Sequence, residues 1–272
     1  QDFILGASVF NFEAHCNNYL NVKNSISCAS GSDALLLAGM SLNLKHDDEI
    51  ITSPFTFFAT AGSISRLGAK PVFVDVDPDT FNINLNLVRE KINSNTKAFI
   101  PVHLFGQMTP LENITDELKE KNIKIIEDAA QAFGTHRNIN GEIIKAGTIG
   151  DIGCYSFFPT KNLGACGDAG MCVTNNDELA KRLFKLRVHG SGKTYYHGYE
   201  NGVEKIFNDT LEEISKIEID EIEKEQVQDQ FNPYQCYFRM KVDKYDISIQ
   251  IRLSSFIKDY NYEFKDCEIL PI

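Results

Sequence analysis

From about residue 25 to residue 190 the chain alternates short apolar runs with segments of helical period, and the apolar runs are filled at consecutive positions. EIITS at 49–53, PVFVDV at 71–76, KAFIPV at 97–102 and IKIIEDA at 123–129 lack the every-second-residue pattern of a strand with one wet face. A strand buried on both faces needs no alternation, and that environment belongs to a parallel sheet with helices above and below it. The covering segments are present between the runs: DALLLAGMSLNL follows ISCAS, FATAGSISRLG follows EIITS, LVREKI follows PVFVDV, and LENITDELKEKN precedes IKIIEDA. The spacing therefore predicts an α/β domain, a mostly parallel sheet in a three-layer arrangement.

A chain of 272 residues that is 43% hydrophobic can bury the core such a domain needs, with room for a smaller second one. The texture changes after about residue 203. From Val203 to Gln230 there are ten acidic residues against three lysines, with Phe207, Leu211, Ile214 and Ile217 or Glu218 at helical spacing, which reads as an acidic amphipathic helix. PYQCYFRMKVDKYDISIQIRLSSFI then carries two stretches of strand character. The expected division is a large domain over 1–202 and a reduced α+β part over 203–272.

A net charge of −11 argues against nucleic acid as a partner, because that affinity comes mostly from Lys and Arg neutralising phosphates. The seven cysteines include no C-x-x-C pair, so neither a structural zinc site nor a redox motif is indicated, and reduced thiols are expected. No run approaches the roughly 20 apolar residues that span a bilayer, and QDFILGASVF lacks a basic segment ahead of a long apolar one. The expectation is a soluble, cytoplasmic protein without metal.

Four stretches carry chemistry. CASGSDAL, Cys28–Leu35, ends a strand in small residues ahead of an apolar helix, where open backbone N–H groups can hold an anion; an ordinary N-cap by Ser30 or Ser32 explains the same residues. IIEDAAQAFG, Ile125–Gly134, delivers Asp128 and Gln131 at the C-terminal end of a strand, where open α/β sheets bind ligands; Asp128 capping a following turn is the alternative. SFFPTKNLG, Ser156–Gly164, sets Lys161 between Phe157, Phe158, Pro159 and Gly164, a tight and partly apolar loop in which desolvation lowers an ammonium pKa and yields a nucleophilic amine, although most lysines are simply solvated. TFFAT at 56–60 adds aromatic side chains. An anion cradle, an aromatic face, a carboxylate and an amine in this order match the needs of pyridoxal 5′-phosphate, whose ring nitrogen must stay protonated and whose aldehyde must be held as a Schiff base.

These stretches, with GAKPVFVDVDPDTFNI, PVHLFGQ, GDIGCYSFFPTKNLGACGDAGMCVTNNDELA and LRVHG, resemble the DegT/DnrJ/StrS family of sugar aminotransferases over roughly residues 3–193. The resemblance implies the fold type I large domain of the pyridoxal-phosphate-dependent transferases. It implies Lys161 as the Schiff-base and proton-shuttling residue, Asp128 at the ring nitrogen and Gln131 at the phenolic oxygen. Gly31, Ser32, Asp33 and Ser156 would lie at the phosphate and Phe57 on the ring face, although Phe55, Phe57 and Phe58 could each be core. It further implies transfer of an amino group from glutamate to a nucleotide-linked keto sugar by a homodimer. His103 in VHLFG and His189 in RVHG are either functional or packed structural groups. Beyond residue 193 the family's Asn-x-Arg-Leu-Asp stretch and QAA helix are not recognisable. The expectation that follows is a shortened or divergent C-terminal part, exposed apolar surface, weakened cofactor retention and low or absent turnover, the alternative to the enzyme being a degenerate or truncated homologue that binds the cofactor or a partner without turnover.

Overall fold

The computed structural model describes residues 5–190 and the backbone of three strands within 235–270. The chain divides into two compact units, Gln1–Glu204 and Lys205–Ile272. In the second unit β10 (Gln235–Val242) and β11 (Tyr245–Arg252) form an antiparallel hairpin, with β12 (Ile269–Leu270) beside β11. The hairpin strands fall on the two stretches of strand character expected there, whereas the acidic helix expected over 203–230 lies outside the described residues.

The first unit is built on a seven-stranded sheet in the order β1 (Asn24–Cys28), β9 (Gly170–Thr174), β8 (Ile152–Ser156), β5 (Lys124–Asp128), β4 (Thr96–Ile100), β2 (Glu49–Thr52), β3 (Lys70–Phe73). The pairs from β8 to β3 are parallel, and β9 alone runs against its neighbours. A separate hairpin, β6 (His136–Ile139) and β7 (Glu142–Lys145), turns through Asn140 and Gly141 at φ 54° and 93°, the left-handed pair a type I′ turn requires.

Neighbouring residues within a strand enter different cores, which accounts for the unbroken apolar runs. Ile50, Ala98, Ile126, Cys154 and Cys172 pack with Ala34, Leu35 and Ala38 of α2 (Gly31–Ser41), Ile64 of α3 (Phe58–Arg66) and Leu183 of α6 (Asp177–Arg187). On the opposite face Ile51, Phe99 and Ile125 pack with Val88 of α4 (Leu85–Lys91) and Leu118 of α5 (Thr115–Glu120). Tyr155 and Val173 meet Cys16 and Leu20 of α1 (Ala7–Leu20) there as well. Helices therefore cover both faces, the three-layer α/β fold expected. Each such aliphatic side chain contributes about 1.5–3 kcal/mol by leaving water, so the sheet's position is fixed from both sides.

Helix α1 was not expected, since it presents little apolar stripe: its buried residues are Glu13, Cys16 and Leu20. Glu13 holds it down, its Oε1 accepting from Ser27 N–H at 2.8 Å, from Ser27 Oγ at 2.7 Å and from the Arg187 guanidinium of α6. Among the described residues no helix is long and apolar enough to cross a membrane, no cluster of three His, Cys, Asp or Glu could hold a metal, and Cys16, Cys28, Cys154, Cys166 and Cys172 are free thiols.

Candidate active site

Strands β2, β4, β5 and β8 point the same way, and β1, antiparallel to β9, points with them. Their C-terminal ends share one edge of the sheet, and the segments leaving that edge carry Ser30–Asp33, Thr56–Thr60, His103–Phe105, Asp128–Gln131 and Ser156–Lys161 in turn. Every residue proposed from the sequence to hold the cofactor thus emerges on one edge, the ligand-binding edge of open parallel sheets.

At the centre, Asp128 ends β5 and is buried. Its Oδ2 accepts from Thr60 Oγ1 at 2.8 Å, and its Oδ1 accepts from Ala130 N–H at 3.2 Å. The second bond is the turn cap offered above as an alternative, so the residue braces its own turn while it faces the site. Burial pushes the Asp128 carboxyl above its usual range; the Thr60 and Ala130 donors and the nearby Lys161 pull the other way. Gln131 Oε1 accepts from Phe105 N–H at 2.8 Å, which fixes the amide on the next turn.

Behind Asp128 lies a pair that sequence reasoning missed as a unit. Glu127 and His103 are fully buried, and His103 Nε2 bonds Glu127 Oε2 at 2.7 Å. The Thr109 N–H donates to His103 Nδ1 at 3.1 Å, so the ring proton sits on Nε2. Glu127 also accepts from the N–H groups of Gly147, Ile149 and Gly150 at 2.8, 2.6 and 2.6 Å. His103 is thus a packed, hydrogen-bonded structural group. A glutamate inside the apolar run IIED was the available signal, because a buried carboxylate must find this many donors.

The other end of the site is made of backbone. Ser30 is the N-cap of α2, its Oγ accepting from Asp33 N–H at 3.1 Å and donating to Asp33 Oδ2 at 2.9 Å. The cap therefore falls on Ser30, and the Asp33 carboxylate turns back onto it. Gly31 and Ser32 lie between, at the helix start where N–H groups have no intrahelical acceptor. A Cβ on Gly31 would lie 2.6 Å from Ser156 Cβ, and one on Gly170 would lie 2.2 Å from the Ser30 carbonyl oxygen. Those close approaches seat the α2 N-terminus directly on the end of β8, with the Ser156 hydroxyl beside it.

Lys161 lies in the loop from β8 to β9. The loop is pinned by the Ala165 N–H to the Phe157 carbonyl at 2.7 Å and by the Lys161 N–H to the Phe158 carbonyl at 2.8 Å. A Cβ on Gly164 would lie 2.4 Å from the Pro159 carbonyl oxygen, so this turn admits only glycine without rearrangement. Phe157 anchors the loop in the core, edge-on to Phe12 and Phe133 at 5.3 and 5.4 Å, and Lys161 is half-buried. Phe55, Phe57 and Phe58 are 46%, 70% and 81% exposed, which rules out the reading of these rings as core. Phe57 stands at the N-terminus of α3, two positions from the β-edge loop's Phe55 and three before Thr60. His189 lies just past the C-cap of α6, in the left-handed region at φ 61°, and is exposed.

Residues 1–230 match the DegT/DnrJ/EryC1/StrS aminotransferase family. The chain is 50% identical over 207 residues to the "Pleiotropic regulatory protein" of Geobacillus stearothermophilus, covering 75% of this chain and 55% of that one. It is 44% identical, with the same coverage, to a UDP-N-acetyl-3-dehydro-alpha-D-glucosamine 3-aminotransferase of Acidithiobacillus ferrooxidans. Among solved structures, S. venezuelae DesV in complex with a ketimine intermediate superposes with a TM-score of 0.68 at 34% identity, over 77% of this chain and 58% of that one. The chain thus spans a little over half the length of these curated relatives.

Proposed function

Since this chain belongs to the DegT/DnrJ/EryC1/StrS aminotransferase family, we propose that it is a pyridoxal-phosphate-dependent aminotransferase that moves an amino group from glutamate to a nucleotide-linked keto sugar. The observation that carries the reading is the buried Asp128 carboxylate, within electrostatic reach of Lys161 on the same sheet edge as an open helix start. The residues present fit the cofactor. Among the described residues no ion pair takes up the buried Asp128 carboxylate, which calls for a protonated nitrogen, and glycine at 31 lets the start of α2, with its N–H groups free of intrahelical acceptors, sit directly against Ser156.

When bound, the cofactor supplies an electron sink that lets an amino group leave one carbon and be delivered to another. Lys161 Nζ is the amine that holds it covalently and, when released, takes up and returns a proton during transfer. The Asp128 carboxylate keeps the ring nitrogen charged, and the Gln131 amide orients beside the phenolic oxygen. Gly31, Ser32 and Ser156 donate to the phosphate, with Asp33 bracing their turn through Ser30. Phe57 covers one face of the ring, as its exposure beside the site allows. The exposed Phe55 and Phe58 favour coverage by a second copy of the chain, and the free thiols favour a reducing, cytoplasmic setting.

Titration of the protein with pyridoxal phosphate, followed by glutamate, tests the reading. The visible band of the covalent adduct should form and then be lost as the amino group is taken up. A protein that binds cofactor yet leaves glutamate unchanged would refute turnover. UDP-, dTDP- and GDP-linked keto sugars then identify the acceptor.

A further inference from the structure

Helix α3 begins in a way its sequence does not need. Its N-cap is Phe57, which makes no side-chain cap, although threonines stand at 56 and 60, on either side of it. A threonine at a helix start normally accepts a backbone N–H, a bond worth about 1 kcal/mol. Here the two hydroxyls face each other instead, Thr56 Oγ1 and Thr60 Oγ1 lying 2.8 Å apart. Thr60 is fully buried, and its proton goes to Asp128 Oδ2 at 2.8 Å. Its oxygen must then accept from Thr56, so the order of donation is Thr56 to Thr60 to Asp128. A local rule given up at a functional site signals a compensating use elsewhere.

We propose that Thr60, backed by Thr56, is a positioning residue that aims the Asp128 carboxylate at the cofactor's ring nitrogen and favours its charged form. The inference rests on the reading of Asp128 given above. A hydrogen bond to a buried charge is among the stronger ones, and a carboxylate with one oxygen tied to α3 and the other to its own turn cannot rotate freely. The same first turn of α3 carries Phe57, so the ring's covering face and the partner of its nitrogen are set by one short segment. The charged and titratable groups facing Asp128 are His103 from the loop after β4, Lys161 from the loop after β8 and the Cys154 thiol on β8. Glu127 precedes it but is wholly engaged with His103 and backbone donors. Among these described groups, Thr60 is the side-chain hydroxyl on the carboxylate.

The test uses the full chain without cofactor, its aspartates labelled with 13C at the carboxyl carbon and the Asp128 signal assigned by its loss in Asp128→Asn. Thr60→Val, nearly the same shape without the hydroxyl, should raise the Asp128 titration midpoint by about one unit. It should also weaken pyridoxal phosphate binding about tenfold, the worth of one such bond. Thr60→Ser should restore both. Thr56→Val, at a half-buried position, should shift the midpoint in the same direction by less, and it carries the test if Thr60→Val does not fold. An unchanged midpoint in Thr60→Val, or in Thr56→Val where that variant stands in, overturns the proposal whatever the cofactor does. A protein that shows the midpoint shift but binds no pyridoxal phosphate even as wild type would instead overturn the functional reading of Asp128.

Discussion

The two ends of the site are built by opposite means. Around Gly31 and Ser156 the chain works by subtraction: side chains are absent where backbone must touch backbone, and the side-chain bonds described there are local, closing the Ser30–Asp33 cap and holding the Phe158 N–H on Ser156 Oγ. Around Asp128 it works by addition, with two buried carboxylates surrounded by hydroxyl, imidazole and backbone donors. An anion that arrives with its own charge needs only exposed N–H groups and space, whereas a carboxylate that must wait for a cation has to be stabilised in the meantime. The first design fails through sterics and the second through lost partners, so substitutions at the two ends should be separable.

The largest effect is expected at Glu127. Glu127→Ala strips the acceptor from His103 and three backbone N–H groups in a fully buried place, at a cost of about 3–5 kcal/mol measured by urea unfolding. A loss below about 1 kcal/mol would show that this network is ornamental. Asp128→Asn comes next. It should slow turnover about a hundred- to a thousandfold while the fold stays intact, since a neutral amide cannot hold a proton on the ring nitrogen.

The same substitution should stabilise the cofactor-free protein as pH rises. The folded-state pKa of Asp128 lies above the unfolded value, so its contribution is fully present below the ordinary carboxylate range and is lost as pH climbs through the raised value. Asp128→Asn removes that decline. Parallel stability–pH curves for the two proteins would show that the carboxyl is not destabilised by burial.

At the opposite end, Gly31→Ala places a methyl group 2.6 Å from Ser156 Cβ and should cost about 1–3 kcal/mol by overpacking, with weaker cofactor binding and an undisturbed Asp128 titration. A shifted titration would mean that the two ends are not independent. Ser30→Ala is the mildest, about 1 kcal/mol for a lost N-cap, read from the thermal midpoint.

Much of this was legible in the sequence, for identifiable reasons. The strands and helices from ISCAS to IKIIEDA announce themselves because residues buried on both sides leave unbroken apolar runs. Lys161, Asp128 and the ASGSD turn are legible because each sits in a segment whose small or aromatic neighbours restrict it. The antiparallel course of β9 was not, since GMCVT is buried on both faces and reads like any parallel strand. Helix α1 escaped because what fixes it is an ion pair from Glu13 to Arg187 across most of the chain, a contact with no local pattern. The hairpin at 136–145 did carry its signal in Asn140–Gly141. Thr60 could not be read as part of the site, because its partner lies 68 residues away and nothing near it is unusual.

The central proposal is that Lys161, among the described residues, is the amine that the site presents to a carbonyl cofactor. Incubation with pyridoxal phosphate, reduction with borohydride and peptide mapping by mass spectrometry test it directly, alongside Lys161→Ala. The account predicts the reduced phosphopyridoxyl group on Lys161 at stoichiometric yield, and neither adduct nor aminotransferase activity in the variant. Labelling at another lysine, or an active Lys161→Ala protein, would contradict it.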